Sequence, residues 1–274
     1  MLKIIAWNLA HRAESWRFLL GTDADIALVQ EASAPPSDVA HRIAVDSAPW
    51  QTAGAGKYRP WRTAVVKLSD RVNVEWIEAK AIADAQPCEL AVSRLGTLAA
   101  AILTPPTGEP LILASMYAPW EKFHAVARSK EIYADASVHR VISDLTAFVG
   151  HNHRHRIIAA GDLNILYGYG EHGSPFWASR YDAVFNRMTA LGLSFVGPQA
   201  PNGRRSEPWP EELPQTSNNV PTYYTSHQNP TSATRQLDFV FASNSLREQV
   251  RVSAMNQPSE WGPSDHCRVS ITVA

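Results

Sequence analysis

The chain has 274 residues, 45% hydrophobic and 19% charged, with 25 basic and 26 acidic side chains for a net charge of -1. That composition excludes a disordered chain and supplies enough apolar material for one large α/β core. It also excludes attachment to nucleic acid by overall positive charge, while a local basic groove stays open. In chain order, residues 2–7 form an apolar run that predicts a first strand. Residues 15–20 predict a short helix closed by Gly21, and 25–31 a second strand that is apolar until its polar end. Residues 37–46 can form a helix. Segments 63–68 and 72–77 look like a hairpin turning at Ser69-Asp70, and 91–94 with 97–103 like another turning at Gly96. Residues 111–117 predict a buried strand. The longest helical pattern covers 124–149, carried by Val126, Ile132, Val138, Val141, Ile142, Leu145 and Phe148. Strand 156–160 leads into Gly161-Asp162. Helix 176–191 stops at Gly192, and strand 193–196 follows. Segment 222–225 predicts a short strand, and 237–242, 249–254 and 267–273 complete the set.

Strand-helix-strand units are mixed with hairpins, which predicts mixed sheets covered by helices. No internal boundary leaves two self-sufficient cores, so one domain over 1–274 is expected. The Pro-, Asn- and Ser-rich stretch 197–235 is expected to be a functional loop on the substrate side. Cys88 and Cys267 stand too far apart for a disulfide framework or a cysteine metal site. The start of the chain is strand-like and unlike a signal peptide, and no long apolar run predicts a membrane span. A cytoplasmic protein with no membrane contact and no obligate protein partner is the expectation.

Short polar motifs sit at or just after the strand-like runs: Trp7-Asn8, Gln30-Glu31, Gly161-Asp162-Leu163-Asn164, Leu237-Asp238-Phe239 and Ser264-Asp265-His266. Taken singly, Glu31 fits a surface acid, Asn8 a strand-to-loop residue, and Asp162 with Asn164 an Asx turn. Taken together, they supply what metal-assisted attack on a phosphate needs. Mg²⁺ takes few carboxylates, several waters and phosphate oxygens, which suits Glu31 beside the Asn8 amide. Asp162 can accept a proton from water, and Asn164 can hold that water or a phosphate oxygen. His266 can offset transition-state charge, with Asp238 fixing its tautomer.

These motifs, in this order, resemble the endonuclease/exonuclease/phosphatase superfamily, from Asn8 to His266. The resemblance implies a four-layer α/β/β/α sandwich of two mainly antiparallel mixed sheets flanked by helices, with the site at one edge. It implies Glu31, Asn8 and Asp265 as metal-side residues for Mg²⁺ or Mn²⁺. Asp162 would activate water with help from Asn164, and His266 paired with Asp238 would bind the phosphate. Tyr117, in Met116-Tyr117-Ala118-Pro119, matches the Tyr-bearing branch that contains abasic-site nucleases. Two positions depart from the pattern. Ala10 stands where several nucleases carry an acid, and Trp120 where nucleases of that branch often carry Asn.

Substrate contacts are expected from Lys57-Tyr58-Arg59-Pro60-Trp61-Arg62, where Arg59 and Arg62 mix with aromatic rings, or else that stretch is a loop packed on the core. Tyr167-Gly168-Tyr169-Gly170 could wall the site, and Arg204, Arg205 and Arg235 lie in the Pro-rich stretch near the expected mouth. His151, His153 and His155 read as a solvated turn. The expected function is a divalent-metal phosphodiesterase, a nuclease acting on DNA or RNA. A phosphatase or phosphodiesterase on a small-molecule or lipid phosphate is the alternative, and an inactive binding module of the same fold the third.

Overall fold

In the computed structural model, which describes residues 1–54, 57–122, 132–150 and 154–274, two sheets stack face to face. The first runs in the order Val250–Met255, Arg268–Val273, Leu2–Asn8, Ile26–Ala32, Arg62–Lys67. The second runs Leu193–Gly197, Asp238–Ser243, Ile157–Asp162, Leu111–Tyr117, Leu98–Thr104, Asn73–Ile77. Each sheet has one parallel pair, Leu2–Asn8 with Ile26–Ala32 and Leu111–Tyr117 with Ile157–Asp162. The other neighbours in both sheets are antiparallel. Parallel neighbours need a crossover. Helix Ala13–Leu20 lies in the first crossover and helix Asp135–Leu145 in the second.

The alternation of side chains along each strand makes the layers. From the first strand, Leu2, Ile4 and Ala6 point between the sheets and meet Leu113, Ile158 and Val240 of the second sheet's inner cluster. Ile5 and Trp7 point outward, into the cluster with Trp16 and Leu19 of helix Ala13–Leu20. In the second sheet, Ile158 and Ala160 face inward. Ile157 and Ala159 face the cluster with Val138, Val141, Val184 and Met188, from helices Asp135–Leu145 and Pro175–Ala190. The result is the expected four-layer sandwich.

A polar bridge crosses the apolar layer beside the site. Gln30 Nε2 donates to Ser115 Oγ at 2.9 Å, and Ser115 Oγ donates to the Val29 carbonyl at 2.8 Å. It ties the two sheets together beside the strand ends that carry Glu31 and Tyr117. Gly161 makes a second close approach. Its φ is 154°, and a Cβ there would lie 1.9 Å from the Met116 carbonyl oxygen on the paired strand. Neither strand backbone can retreat without opening the sheet next to Asp162. Gly161→Ala is therefore expected to cost more than about 3 kcal/mol, combining backbone strain with overpacking. A fall in the urea midpoint with unchanged m-value checks it.

Several local expectations are corrected by long-range pairing. Residues 63–68 and 72–77 do not form a hairpin: Arg62–Lys67 edges the first sheet and Asn73–Ile77 edges the second. The Trp76 indole N–H donates across to the Val65 carbonyl at 2.8 Å. The second expected hairpin also dissolves, because Leu90–Val92 pairs in parallel with Ala79–Ala81 while Leu98–Thr104 joins the second sheet. The helix expected over 37–46 is one turn, Ser37–Ala40, since Ala44 bridges to Lys67. Of the pattern over 124–149, Val126 lies outside the described residues. Ile132–Tyr133 is a short strand, and the helix begins at Asp135. Segment 222–225 is no regular strand. Instead Tyr223 bridges to both Arg235 and His266.

Candidate active site

Parallel strands end where their antiparallel neighbours begin, so one edge of the sandwich collects residues from across the chain. Asn8 and Glu31 lie at the ends of one parallel pair, Tyr117 and Asp162 at the ends of the other. Asp238 opens the strand antiparallel to Asp162 and stands directly opposite it. His266 comes just before Arg268–Val273, which pairs with the first strand. Two further bonds fix that segment: the Trp7 indole N–H donates to the His266 carbonyl at 2.9 Å, and Ser264 Oγ donates to the Asn8 carbonyl at 2.7 Å. A cavity of about 350 Å³ opens at this edge, lined by Asn8, Glu31, Tyr117, Trp120, Asp162, Asn164, Tyr223, Asp265 and His266 among others.

Two carboxylates facing each other across a sheet repel. Here an imidazole relieves the conflict. His266 Nδ1 lies 2.8 Å from Asp238 Oδ2, and Nε2 lies 3.7 Å from Asp162 Oδ2. All three side chains are buried. Burial pushes the His266 pKa down, but Asp238 and Asp162 outweigh it and raise it to about 10. His266 is therefore an imidazolium at neutral pH. Burial first, then the charges of Asp238 and Glu31, raise Asp162 to about 8 despite the opposing imidazolium. Three amide donors orient its carboxylate. Asn8 Nδ2 donates to Oδ2 at 2.9 Å, the Asn164 backbone N–H to Oδ1 at 3.0 Å, and Asn164 Nδ2 to Oδ2 at 3.2 Å. Asn164 holds this geometry in a left-handed conformation, φ 52°.

The other half of the site centres on Glu31. A register shift between Val29 and Ala32 puts a bulge in the strand, and Glu31 takes φ 45°. Bulges re-aim side chains. This one sends Glu31 into the cavity. Burial opposes ionisation of Glu31, yet hydrogen bonds from His11 and Tyr117 outweigh it and hold the pKa below the usual value. Burial, with the charges of Glu31 and Asp162, keeps Tyr117 protonated far above its ordinary range, so the phenol is a donor. Trp61 stands edge-on to Tyr117, with ring centroids 5.0 Å apart.

All the residues expected to do chemistry or hold metal line the cavity except Asp238, which stands behind His266. The expected substrate contacts divide. The Arg59 guanidinium covers the Trp61 ring at 5.3 Å, and its Nη1 is buried with no hydrogen-bond partner among the described residues. Burial, then nearby Arg94, depresses its pKa. Arg235 stands 3.8 Å from Glu171 and bridges to Tyr223, behind the cavity wall. Arg62 is not part of the cavity lining. It is 3% exposed, and its Nη1 sits 2.9 Å from Asp46 Oδ2. Tyr167 does not wall the site either, since its ring packs on Phe185 and Phe195. Arg204 and Arg205 are spent inside the Pro-rich loop, on the carbonyls of Pro230, Gln215 and Ser217. His155 is buried and not in a solvated turn. His151 and His153, and the side chains of Lys57 and Tyr58, lie outside the described residues. Reasoning on single motifs missed His11 and Tyr223. Their only signals were an imidazole three residues after Asn8 and an aromatic pair within the 197–235 loop.

Oxygen-bearing side chains line the cavity, among them the Glu31 and Asp265 carboxylates and the Asn8 amide. That set fits a hard divalent cation. Burial, and after it the charges of Asp238 and Glu31, disfavour a negative charge on Asp162, which a nearby cation would offset. Asp162, Asp238 and His266 form a buried group whose ligand atoms lie within 4.8 Å of one another. Within this group the Nδ1 atom of His266 is already engaged by Asp238.

No protein-family model and no curated protein matches the chain. Solved structures do. The endonuclease domain of TRAS1, a telomere-specific non-LTR retrotransposon, aligns at 14% identity and TM-score 0.61 over 100% of this chain and 98% of its own. The AP endonuclease LMAP from Leishmania major aligns at 17% identity and TM-score 0.63 over 99% and 87%. An AP endonuclease from Archaeoglobus fulgidus aligns at 17% identity and TM-score 0.61 over 100% and 99%. These similarities show the fold. Each of these structures shares this α/β sandwich over nearly the whole chain.

Proposed function

We propose that this chain is a divalent-metal-dependent phosphodiesterase that hydrolyses nucleic acid, with DNA as the favoured substrate. The observation that carries the reading is the meeting of Glu31, Asp162, Asn164 and the Asp238–His266 pair around one cavity. Glu31, Asn8 and Asp265 would hold the ion, Mg²⁺ or Mn²⁺. When bound, such an ion supplies Lewis-acid polarisation of a phosphate oxygen. Asp162 takes the proton from the attacking water. Burial raises its proton affinity above that of an ordinary carboxylate, the direction a proton acceptor needs. Asn8 and Asn164 hold its carboxylate in place. His266 carries its positive charge on Nε2–H to a non-bridging phosphate oxygen, where charge grows as the fifth bond to phosphorus forms. Asp238 keeps that imidazole oriented and protonated.

A nucleic acid is favoured over a small phosphate ester by what surrounds the cavity. Trp120 is 49% exposed, and its indole N–H donates to Asn164 Oδ1. Its open face, with Tyr223 across the cavity, offers stacking surface for bases. Arg59 brings a cation to the Tyr117 side, suited to a neighbouring backbone phosphate. The AP endonucleases among the structural neighbours put abasic duplex DNA first in any substrate panel. The free thiols of Cys88 and Cys267 fit a cytoplasmic setting.

The test is a hydrolysis panel with Mg²⁺ or Mn²⁺, covering single-stranded, duplex and abasic-site DNA, RNA and phosphomonoesters. Cleavage of a DNA substrate that stops in EDTA and in Asp162→Ala is the expected result. Turnover of phosphomonoesters alone would move the reading to a phosphatase. Binding of DNA and metal without cleavage of any substrate would reduce the chain to a binding module.

A further inference from the structure

His11 touches Glu31 where the metal reading needs a ligand. Its Nε2 lies 2.9 Å from Glu31 Oε2. The contact is built at a cost in backbone strain. Ala10 has φ 50°, His11 φ 60° and Glu31 φ 45°, all left-handed and none of them glycine. Such residues persist only where the surroundings over-determine them, and they cluster at functional sites. Here the surroundings are specific. The Ala10 N–H donates to Asn8 Oδ1 at 2.9 Å, the His11 N–H to the Glu31 carbonyl at 3.1 Å, and the Leu9 N–H to the Gln30 carbonyl at 2.9 Å. The turn is thus stitched to the same bulge that aims Glu31. The imidazole is braced as well. It packs against Trp61 at 5.4 Å, Trp61 packs against Tyr117, and Tyr117 donates to the same Glu31 carboxylate. Two of these rings hydrogen-bond the carboxylate, and the imidazole is the one whose nitrogen can exchange its proton for a metal ion.

We infer that His11 is a metal ligand, forming with Glu31 an imidazole–carboxylate edge of the cation site. The inference rests on the proposed function, since it assumes that Glu31 holds the ion. Two ligand atoms at about 2.1 Å from one ion and at right angles lie about 3 Å apart, so an ion replacing the proton of this 2.9 Å hydrogen-bonded pair could be held by both residues with little rearrangement. Ala10 carries no donor group, and the next residue supplies a nitrogen. A mixed nitrogen–oxygen set changes ion preference. Mg²⁺ gains little from imidazole, whereas affinity for nitrogen-bearing sites climbs from Mn²⁺ through the later divalent ions. His11 therefore biases the site away from Mg²⁺ and toward a transition-metal ion.

The full chain, stripped of metal, should be titrated calorimetrically with Mn²⁺ and with Mg²⁺, and the Mn²⁺-loaded protein read by electron spin echo for nitrogen coupling. The wild type should show nitrogen modulation that persists in His266→Ala and vanishes in His11→Ala. His11→Ala should lose about tenfold or more in Mn²⁺ affinity, and less than about threefold in Mg²⁺ affinity. His11→Gln should behave like His11→Ala, because an amide keeps a hydrogen bond to Glu31 but not the nitrogen donor. Mn²⁺ bound without nitrogen modulation, or an unchanged preference between the ions in His11→Ala, would overturn the assignment and leave Glu31 as a ligand without His11. Mn²⁺ bound equally well by Glu31→Gln would overturn the metal site itself, and the inference with it.

Discussion

Asp162→Asn is expected to lower kcat by about 10²–10⁴-fold, the share a positioned general base contributes. The metal-free protein should be no less stable for it. An amide cannot take the proton from water, so the chemical step fails even with substrate and ion in place. Stability follows a different balance. A buried carboxyl whose pKa rises to about 8 is one whose charge the fold disfavours, here through burial and the neighbouring charges of Asp238 and Glu31. Replacing it with a neutral isostere removes that conflict. The offsetting cost is one of the bonds from Asn8 Nδ2 and the Asn164 donors, since an amide presents a single acceptor oxygen. A catalytic group kept against the preference of the fold is the usual form of a trade between activity and stability. Thermal melts in EDTA at pH 8, alongside kcat on the preferred substrate, check both halves. Activity within about threefold of wild type would remove Asp162 from the base's role, given that range.

The catalytic half of the site was legible because its residues sit where apolar runs stop. An acid, amide or imidazole at the end of a buried strand has no packing purpose, and Asn8, Glu31, Asp162 and His266 all carry that mark. Both sheets present these ends on one edge, which makes a set of separate motifs into one site. The failures have a common physical cause, which is partner choice over long sequence distances. Ser69-Asp70 is a good turn signal, yet the strands on either side of it enter different sheets, because each finds its apolar face satisfied elsewhere. Arg62 reads locally as a substrate cation beside aromatic rings. Its anion, Asp46, lies sixteen residues earlier and its cation–π partner is Trp50, neither of which local spacing reveals. His11 escapes notice for the converse reason. A histidine after a strand end carries no periodicity, and its importance depends on the bulge at Glu31, which no residue pattern announces.

Asp238→Asn tests whether His266 works as half of a pair. Burial by itself would lower the His266 pKa, so its rise from 6.5 to about 10 is owed to Asp238 and then Asp162. A histidine raised in the fold contributes stability that is complete below its unfolded pKa and is lost as pH climbs through the folded one. A carboxyl raised in the fold acts in the same sense, so Asp162 adds a loss completed near pH 8. In EDTA, therefore, the wild type should lose stability from pH 7 to pH 10, each tenfold difference in proton affinity between folded and unfolded chain being worth about 1.4 kcal/mol at most. Asp238→Asn removes the partner that contributes most to the rise. The amide oxygen can still accept from Nδ1–H, so the ring stays oriented while the proton on it becomes easier to lose. The stability loss should move to lower pH, and kcat at pH 7 should fall by about 10²–10³-fold, the range for removing one preorganised source of transition-state charge stabilisation. Adding His266→Gln to Asp238→Asn should cost little more, because groups that act together do not contribute additively. Losses that simply multiply, with an unchanged pH profile of unfolding, would show instead that Asp238 supports only the strand start, and that the imidazolium draws its charge from Asp162.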